Sequence, residues 1–305
     1  MIYGSLGLME GSFSRRVKPD YGASVQDVFL GFAREWIGGT SDLEILGQCD
    51  GTAVPSWRPH WNMRPYRHLH AALEPRYDSS ARSEAIVHFS EDGQYLTCKG
   101  LRRDSVDGMT TAMLLDVNER GSERQAVMLQ SRSDKGAYAS VAALSEALWR
   151  TVVGNRHLSG QIAPDAGEGL LSAVPTQHDA LAQYLAPSAA FMVAGRRLDE
   201  YFHRSKALVE DNAEFLTDAV ERVERFCWSR RLITIIQSFV GMVPHNADRG
   251  DVVCVLLGCS FPMLLRPHEQ FYRVVGPCYV HGIMEGEAID WLNKGIRDVG
   301  DISIY

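Results

Sequence analysis

No stretch of this chain is apolar for long enough to cross a bilayer as a helix, which takes about 20 residues. The longest candidate, 252–265, is interrupted by Gly258, Ser260 and Pro262. The first residues have no basic start, and Glu10 ends their apolar stretch, so they do not read as a secretory leader. Cysteine is sparse. Cys49, Cys98, Cys227, Cys254, Cys259 and Cys278 are scattered through apolar runs with no framework spacing. They are expected to be buried free thiols in a reducing cytosol. A basic surplus is missing too: the net charge is -7, which argues against nucleic acid or an anionic membrane as partner. The glycines of Gly4-Ser-Leu-Gly7 and Gly38-Gly39 fit neither the Walker nor the dinucleotide pattern. Ser260, in Gly258-Cys-Ser-Phe-Pro262, lacks the flanking glycines of a nucleophile elbow. The expectation is a cytoplasmic protein with no membrane span, no nucleic-acid partner and no cofactor.

What is present is core. Hydrophobic residues make up 45% of 305, ample for one large domain or two small ones. Ser24 precedes Val25, Val28, Phe29, Phe32, Ala33 and Trp36, so the spacing predicts a capped helix that Gly38-Gly39 stops. A short helix is expected over 42–46, then a Pro-rich connector over 52–76. Residues 85–89 and 95–100 flank Asp92-Gly93 and predict a hairpin with one wet face. Helical spacing over 137–151 predicts a further helix, and 177–185, 189–209 and 213–228 read as three more. The end of the chain is different. Short apolar runs over 231–235, 239–244, 250–258, 262–267 and 272–288 are punctuated by Gly and Pro, so they read as antiparallel strands.

The fold class read from this is α+β, with an antiparallel, barrel-like sheet built from discontinuous segments and a helical layer. The expected division is an N-terminal helical segment and connector (1–76), a barrel-like domain (84–117 and 231–290) and a helical insertion (137–230).

Three groups of residues invite chemistry. Cys254, Cys259, Cys278 and His281 give the four thiolate and imidazole donors of a structural zinc site. Strand alternation opposes it, because it sends Cys278 and His281 to opposite faces. His281 with Glu285, Glu287 and Asp251 resembles a general-base arrangement, yet no nucleophile is tied to it, and a histidine bonding backbone where the strand ends is the favoured reading. The third is Trp57-Arg-Pro-His-Trp-Asn-Met-Arg-Pro-Tyr-Arg-His-Leu-His70, which interleaves aromatic and basic residues. Such a run can stack on single-stranded nucleic acid, or it can pin tryptophans into a groove and leave arginine outside. The expectation is no metal, with His281, Glu285 and Glu287 the first candidates for any catalysis.

One resemblance is specific enough to name. From Arg231 to Ala288 the chain reads Gly250-Asp-Val-Val-Cys-Val-Leu-Leu-Gly258, Pro262-Met-Leu-Leu-Arg-Pro267 and Tyr272-Arg-Val-Val-Gly-Pro-Cys-Tyr-Val-His-Gly-Ile-Met-Glu-Gly-Glu-Ala288. Upstream stand Tyr3-Gly-Ser-Leu-Gly-Leu8, Asp20-Tyr-Gly-Ala-Ser-Val25 and Val54-Pro-Ser-Trp-Arg-Pro-His-Trp61. This order resembles the C-terminal region of fungal heterokaryon-incompatibility (HET domain) proteins, with His60 where that family usually has Asp. The family's hallmark Trp-Ile-Asp-x-x-Cys segment is absent, so the chain looks like a member without its N-terminal HET domain. The resemblance implies a non-enzymatic part in self/non-self recognition and programmed cell death. The chain would be a regulator or interaction module, and a full-length HET-family relative its partner. The alternative is a small-molecule enzyme or binding protein of a fungal secondary-metabolite pathway, with a barrel pocket near His281. A deep pocket converging on His281 would favour the enzyme. A filled barrel and an exposed apolar patch near residues 1–40 would favour the module.

Overall fold

A computed structural model describes residues 2–8, 11–61, 77–112, 127–156, 185–202, 222–223 and 226–305. Nearly all of the expected helix over 177–185, most of that over 213–228, and most of the run up to His70 fall outside the described residues. Two short helices, α1 (Ile2–Ser5) and α2 (Gly11–Ser14), precede α3 (Val25–Thr40). Ser24 caps α3 by accepting from Asp27 N at 3.1 Å, which satisfies one of the open amides of the first turn. Phe29, Phe32, Ala33 and Ile37 form its buried face. Phe13, Trp36 and Trp61 pack edge-on or stacked against those rings. The Gly38-Gly39 stop is overturned: the helix runs through both and ends at Ser41, a left-handed residue whose N–H bonds Ile37 O at 3.1 Å. The apolar face and the cap outweigh two glycines, each costing about 1 kcal/mol.

The hairpin pairs β1 (Val87–Phe89) with the first part of β2 (Leu96–Met109). Asp92 Oδ1 accepts from Gln94 N at 3.0 Å across the turn. β2 is the spine of the fold. Its 14 residues pair in turn with β11 (Gly300–Ile304), β7 (Val252–Leu256) and β5 (Arg230–Ile235), with register shifts after Arg102 and Val106 that bend it between partners. β6 (Val240–Pro244), β8 (Met263–His268), β9 (Phe271–Pro277) and β10 (Tyr279–Val280) complete a nine-stranded sheet among the described residues. The ladder closes on itself. β2 pairs β11, β11 pairs β9, β9 pairs β8, β8 pairs β7, and β7 returns to β2. All pairings are antiparallel except β11 with β9. The architecture is α+β with a barrel-like, mostly antiparallel sheet.

Alternation sorts the side chains into two cores. Val253, Val255, Leu264, Ile233, Ile235 and Val280 join one aliphatic cluster. Their strand neighbours Cys254, Leu256, Leu265, Leu232 and Tyr279 join a larger one, which also holds Ile37, Trp57, Trp149 and Phe226. That second cluster is where α3 and α4 (Val141–Val152, capped by Ser140) meet the sheet. Gly241 is forced by the curl: a Cβ there would lie 2.5 Å from Tyr279 O.

Two more expectations change. The helix over 189–209 is replaced, in its described part, by a small hairpin of β3 (Met192–Val193) and β4 (Arg196–Arg197) and a 3-10 turn over Leu198–Tyr201. Ala194 and Gly195 both take positive φ between the strands, a turn conformation that helix spacing does not reveal. The last apolar run leaves the sheet at Val280, and 287–293 forms helix α5 (Glu287–Asn293).

Candidate functional site

His281 follows β10 and donates its backbone N–H to Val240 O at 3.0 Å. Its ring leans on Tyr138, with centroids 5.6 Å apart. Nδ1 is buried and has no hydrogen-bond partner among the described residues. Burial, then the Arg150 charge, lowers its pKa to about 4, so the imidazole is neutral near pH 7.

The carboxylates expected beside it are engaged elsewhere. Glu285 pairs with Arg156, a buried guanidinium that also sits 4.7 Å over the Tyr77 ring. Burial raises the Glu285 pKa, and the bond to Arg156 opposes it. Glu287 accepts from Glu285 N at 2.7 Å, and its own helix begins there. Asp251 is buried and holds Arg266 through two bonds of 2.8 Å, while Asp248 N donates to its Oδ2 at 2.7 Å. The fold therefore brings Glu285 and Glu287 together in one turn but makes no hydrogen bond from either, or from Asp251, to His281.

The cysteine set is divided by the same alternation. Cys254 and Cys259 belong to the larger cluster and Cys278 to the smaller. Burial pushes the Cys278 thiol up to about 12 and drives Cys254 and Cys259 strongly upward, which disfavours the thiolate a metal requires. Among the described residues no group of three His, Cys, Asp or Glu is placed to hold a metal ion. Of the aromatic-basic run, Trp57 is fully buried and donates Nε1–H to Gln94 O at 3.0 Å, and Trp61 packs on Phe29 and Phe32. Those two rings serve the core.

Sequence reading missed a cleft of about 490 Å³. The end of α3 supplies Thr40 and Ser41, followed by Asp42 and Glu44. A loop supplies Tyr77, Asp78, Ser80, Arg82, Ser83 and Glu84, and the β7–β8 turn supplies Gly258 and Ser260. Backbone bonds lock these three pieces: Leu43 N to Gly258 O at 2.8 Å, Ala85 N to Ser41 O at 2.8 Å and Ser79 N to Ser260 O at 3.0 Å. Asp78 N also bonds Met284 O at 2.9 Å, so the cleft loop rests on the 281–287 turn. Gly258 has φ 82°, and a Cβ there would lie 2.5 Å from Ala85 N, so no larger residue fits. His281 is not among the residues lining this cleft. Residues about two hundred apart in sequence build it, and no local spacing announces that.

A family profile for the Het-6 beta-barrel domain matches residues 123–295, more than half of the chain. Heterokaryon incompatibility protein 6, OR allele, of Neurospora crassa is 24% identical over 334 aligned residues. The alignment covers 95% of this chain and 48% of that protein, so the chain spans about half the length of the curated relative it matches. No solved structure matches the chain.

Proposed function

The chain belongs to the Het-6 beta-barrel domain family, and from that premise we propose that it is a non-enzymatic recognition module of a fungal heterokaryon-incompatibility system. The family match and the Neurospora crassa relative support an incompatibility-type role. The finer reading is that the module regulates self/non-self recognition and the cell death that follows, by binding a full-length relative.

One observation carries the non-enzymatic part: the inside of the curled sheet is filled. Cys98, Cys254, Met263, Val274 and Ile302, one from each strand of the closed ring, pack in one cluster at 1% exposure or less. A barrel packed at the density of an ordinary core is a scaffold for surfaces. Support also comes from the 281–287 turn, whose carboxylates hold an arginine and a backbone amide. No helix among the described residues is long and apolar enough to cross a membrane.

The test is co-expression of the tagged chain with a full-length relative in a fungal host. Co-elution on size exclusion, together with an altered outcome of hyphal fusion, is the expected result. Separate elution and unchanged fusion would remove the proposal.

A further inference from the structure

We propose that the surface where Trp291, Arg103 and Phe239 stack is a protein-docking site, which holds the carboxylate of a partner's Asp or Glu flanked by apolar side chains. This deepens the recognition reading and rests on it only for the purpose the site serves.

Arg103 leaves β2 between two aromatic faces. Its guanidinium lies 4.7 Å from the Phe239 ring centre and 4.7 Å from that of Trp291. Phe239 ends the β5–β6 turn, and Trp291 lies on α5. Tyr138 meets the Phe239 ring edge-on, with centroids 5.7 Å apart. The two rings hold the cation in one orientation, so little rotamer entropy is left to lose on binding.

The charge of Arg103 is poorly matched. Nη1 donates to Gln237 Oε1, a neutral acceptor. Nε is buried with no hydrogen-bond partner. Nη2 makes no bond to a described residue and stays open to solvent. Arg103 forms no ion pair among the described residues, because the neighbouring Asp104 carboxylate accepts from Ser105 N at 2.8 Å and from Gln237 N at 2.7 Å. Burial lowers the Arg103 pKa, Asp104 opposes that, and the like charge of Arg297 adds to it. A half-buried guanidinium short of acceptors is costly by itself. With both faces taken by rings, an acceptor has to come to its edge, where the paired oxygens of a carboxylate fit the fork.

The apolar part of the partner follows from what flanks the stack. Ile236 stands in the same turn as Phe239 and is 59% exposed. Ile296 is 61% exposed and donates its backbone N–H to Trp291 O at 2.8 Å. One large exposed aliphatic side chain is thus tied to each aromatic wall. Arginine and tryptophan beside exposed apolar residues are the composition of protein-contact centres. A bare phosphate would use the cation and leave the isoleucines wet.

NMR titration of the full chain with acetyl-Leu-Glu-Leu-amide tests this, with acetyl-Leu-Gln-Leu-amide as neutral isostere. The Glu peptide is expected to shift the Arg103 Nε–H and Trp291 indole signals and to weaken with salt. The Gln peptide should bind about tenfold more weakly. Arg297→Gln, a change at an exposed side chain, should weaken the Glu peptide about threefold. Arg103→Lys should weaken it about tenfold, because the fork is lost while the charge stays. Thermal unfolding checks that both variants fold, and Arg297→Gln decides alone if Arg103→Lys does not. Equal binding of the two peptides, or unmoved Arg103 and Trp291 signals at millimolar Glu peptide, overturns the proposal and leaves the stack as a staple of α5 on the sheet. Tighter binding of inorganic phosphate than of the Glu peptide overturns the carboxylate assignment. Peptide binding without co-elution of a full-length relative leaves this site standing and removes the earlier reading, and co-elution without peptide binding does the reverse.

Discussion

In the smaller core, Val253 and Val255 of β7 join Ile233 and Ile235 of β5 with no exposure. A few residues along the same chain, Gly258 and Ser260 line a cleft together with the carboxylates of Asp42, Glu44, Asp78 and Glu84. One element thus contributes to two opposite environments within a single turn. The strand is governed by its period of two, which divides apolar side chains between two dry cores. The turn is governed by backbone bonds to distant segments, which leave side chains free to carry charge. Stability is expected to reside in the first region more than in the second.

Changes at both places can break or sharpen that division. Leu264→Ala removes a fully buried side chain from the smaller core and should cost about 2–5 kcal/mol in urea unfolding. A cost below about 1 kcal/mol would show that this core closes around the gap. Asp251→Asn breaks the pair with Arg266. Arg266 is partly exposed, so the expected cost is about 2 kcal/mol, below that of a fully buried pair.

The pH dependence should report on His281. The folded protein keeps it neutral to about pH 4, whereas an unfolded histidine protonates near 6.5. Between those values the unfolded chain binds more protons. The stability is therefore fully present above pH 6.5 and is lost as pH falls through 4. The ring keeps some exposure, so roughly 1 kcal/mol is expected. His281→Gln should flatten melting temperature against pH in that window, and an unchanged slope would show that the histidine is not held neutral. The smallest stability effect belongs to Glu84→Gln, within about 0.5 kcal/mol of the parent, as an exposed side chain. A large loss of stability there would mean that the cleft is part of the core.

The barrel was legible because it repeats a simple rule. The apolar runs between Arg231 and Val280 are short, Gly/Pro-bounded and rich in Val and Ile, and they became β5 to β10. The Asp92-Gly93 hairpin was legible for the same reason, as was its place in the same sheet as the C-terminal strands. β11 passed unread, because Gly300-Asp-Ile-Ser-Ile304 is short and carries only two buried apolar residues. Met192–Arg197 misled, since its spacing suits a helix while Ala194-Gly195 takes the positive φ of a tight turn.

The sites divide along the same line. The residues His281, Glu285 and Glu287 stand out in sequence because they are close together, but proximity along the chain does not fix hydrogen-bond partners. Arg156 takes Glu285, and it lies 129 residues away. Composition and periodicity determined that the chain would form an α+β barrel-like fold with cysteines buried in apolar runs, because burial and strand alternation are local demands that each short segment meets by itself. Only the tertiary structure decided which arginines the acids hold and which segments meet at the cleft. Those outcomes depend on backbone bonds among residues 43, 79, 85 and 258, and such contacts exist only once the sheet has closed.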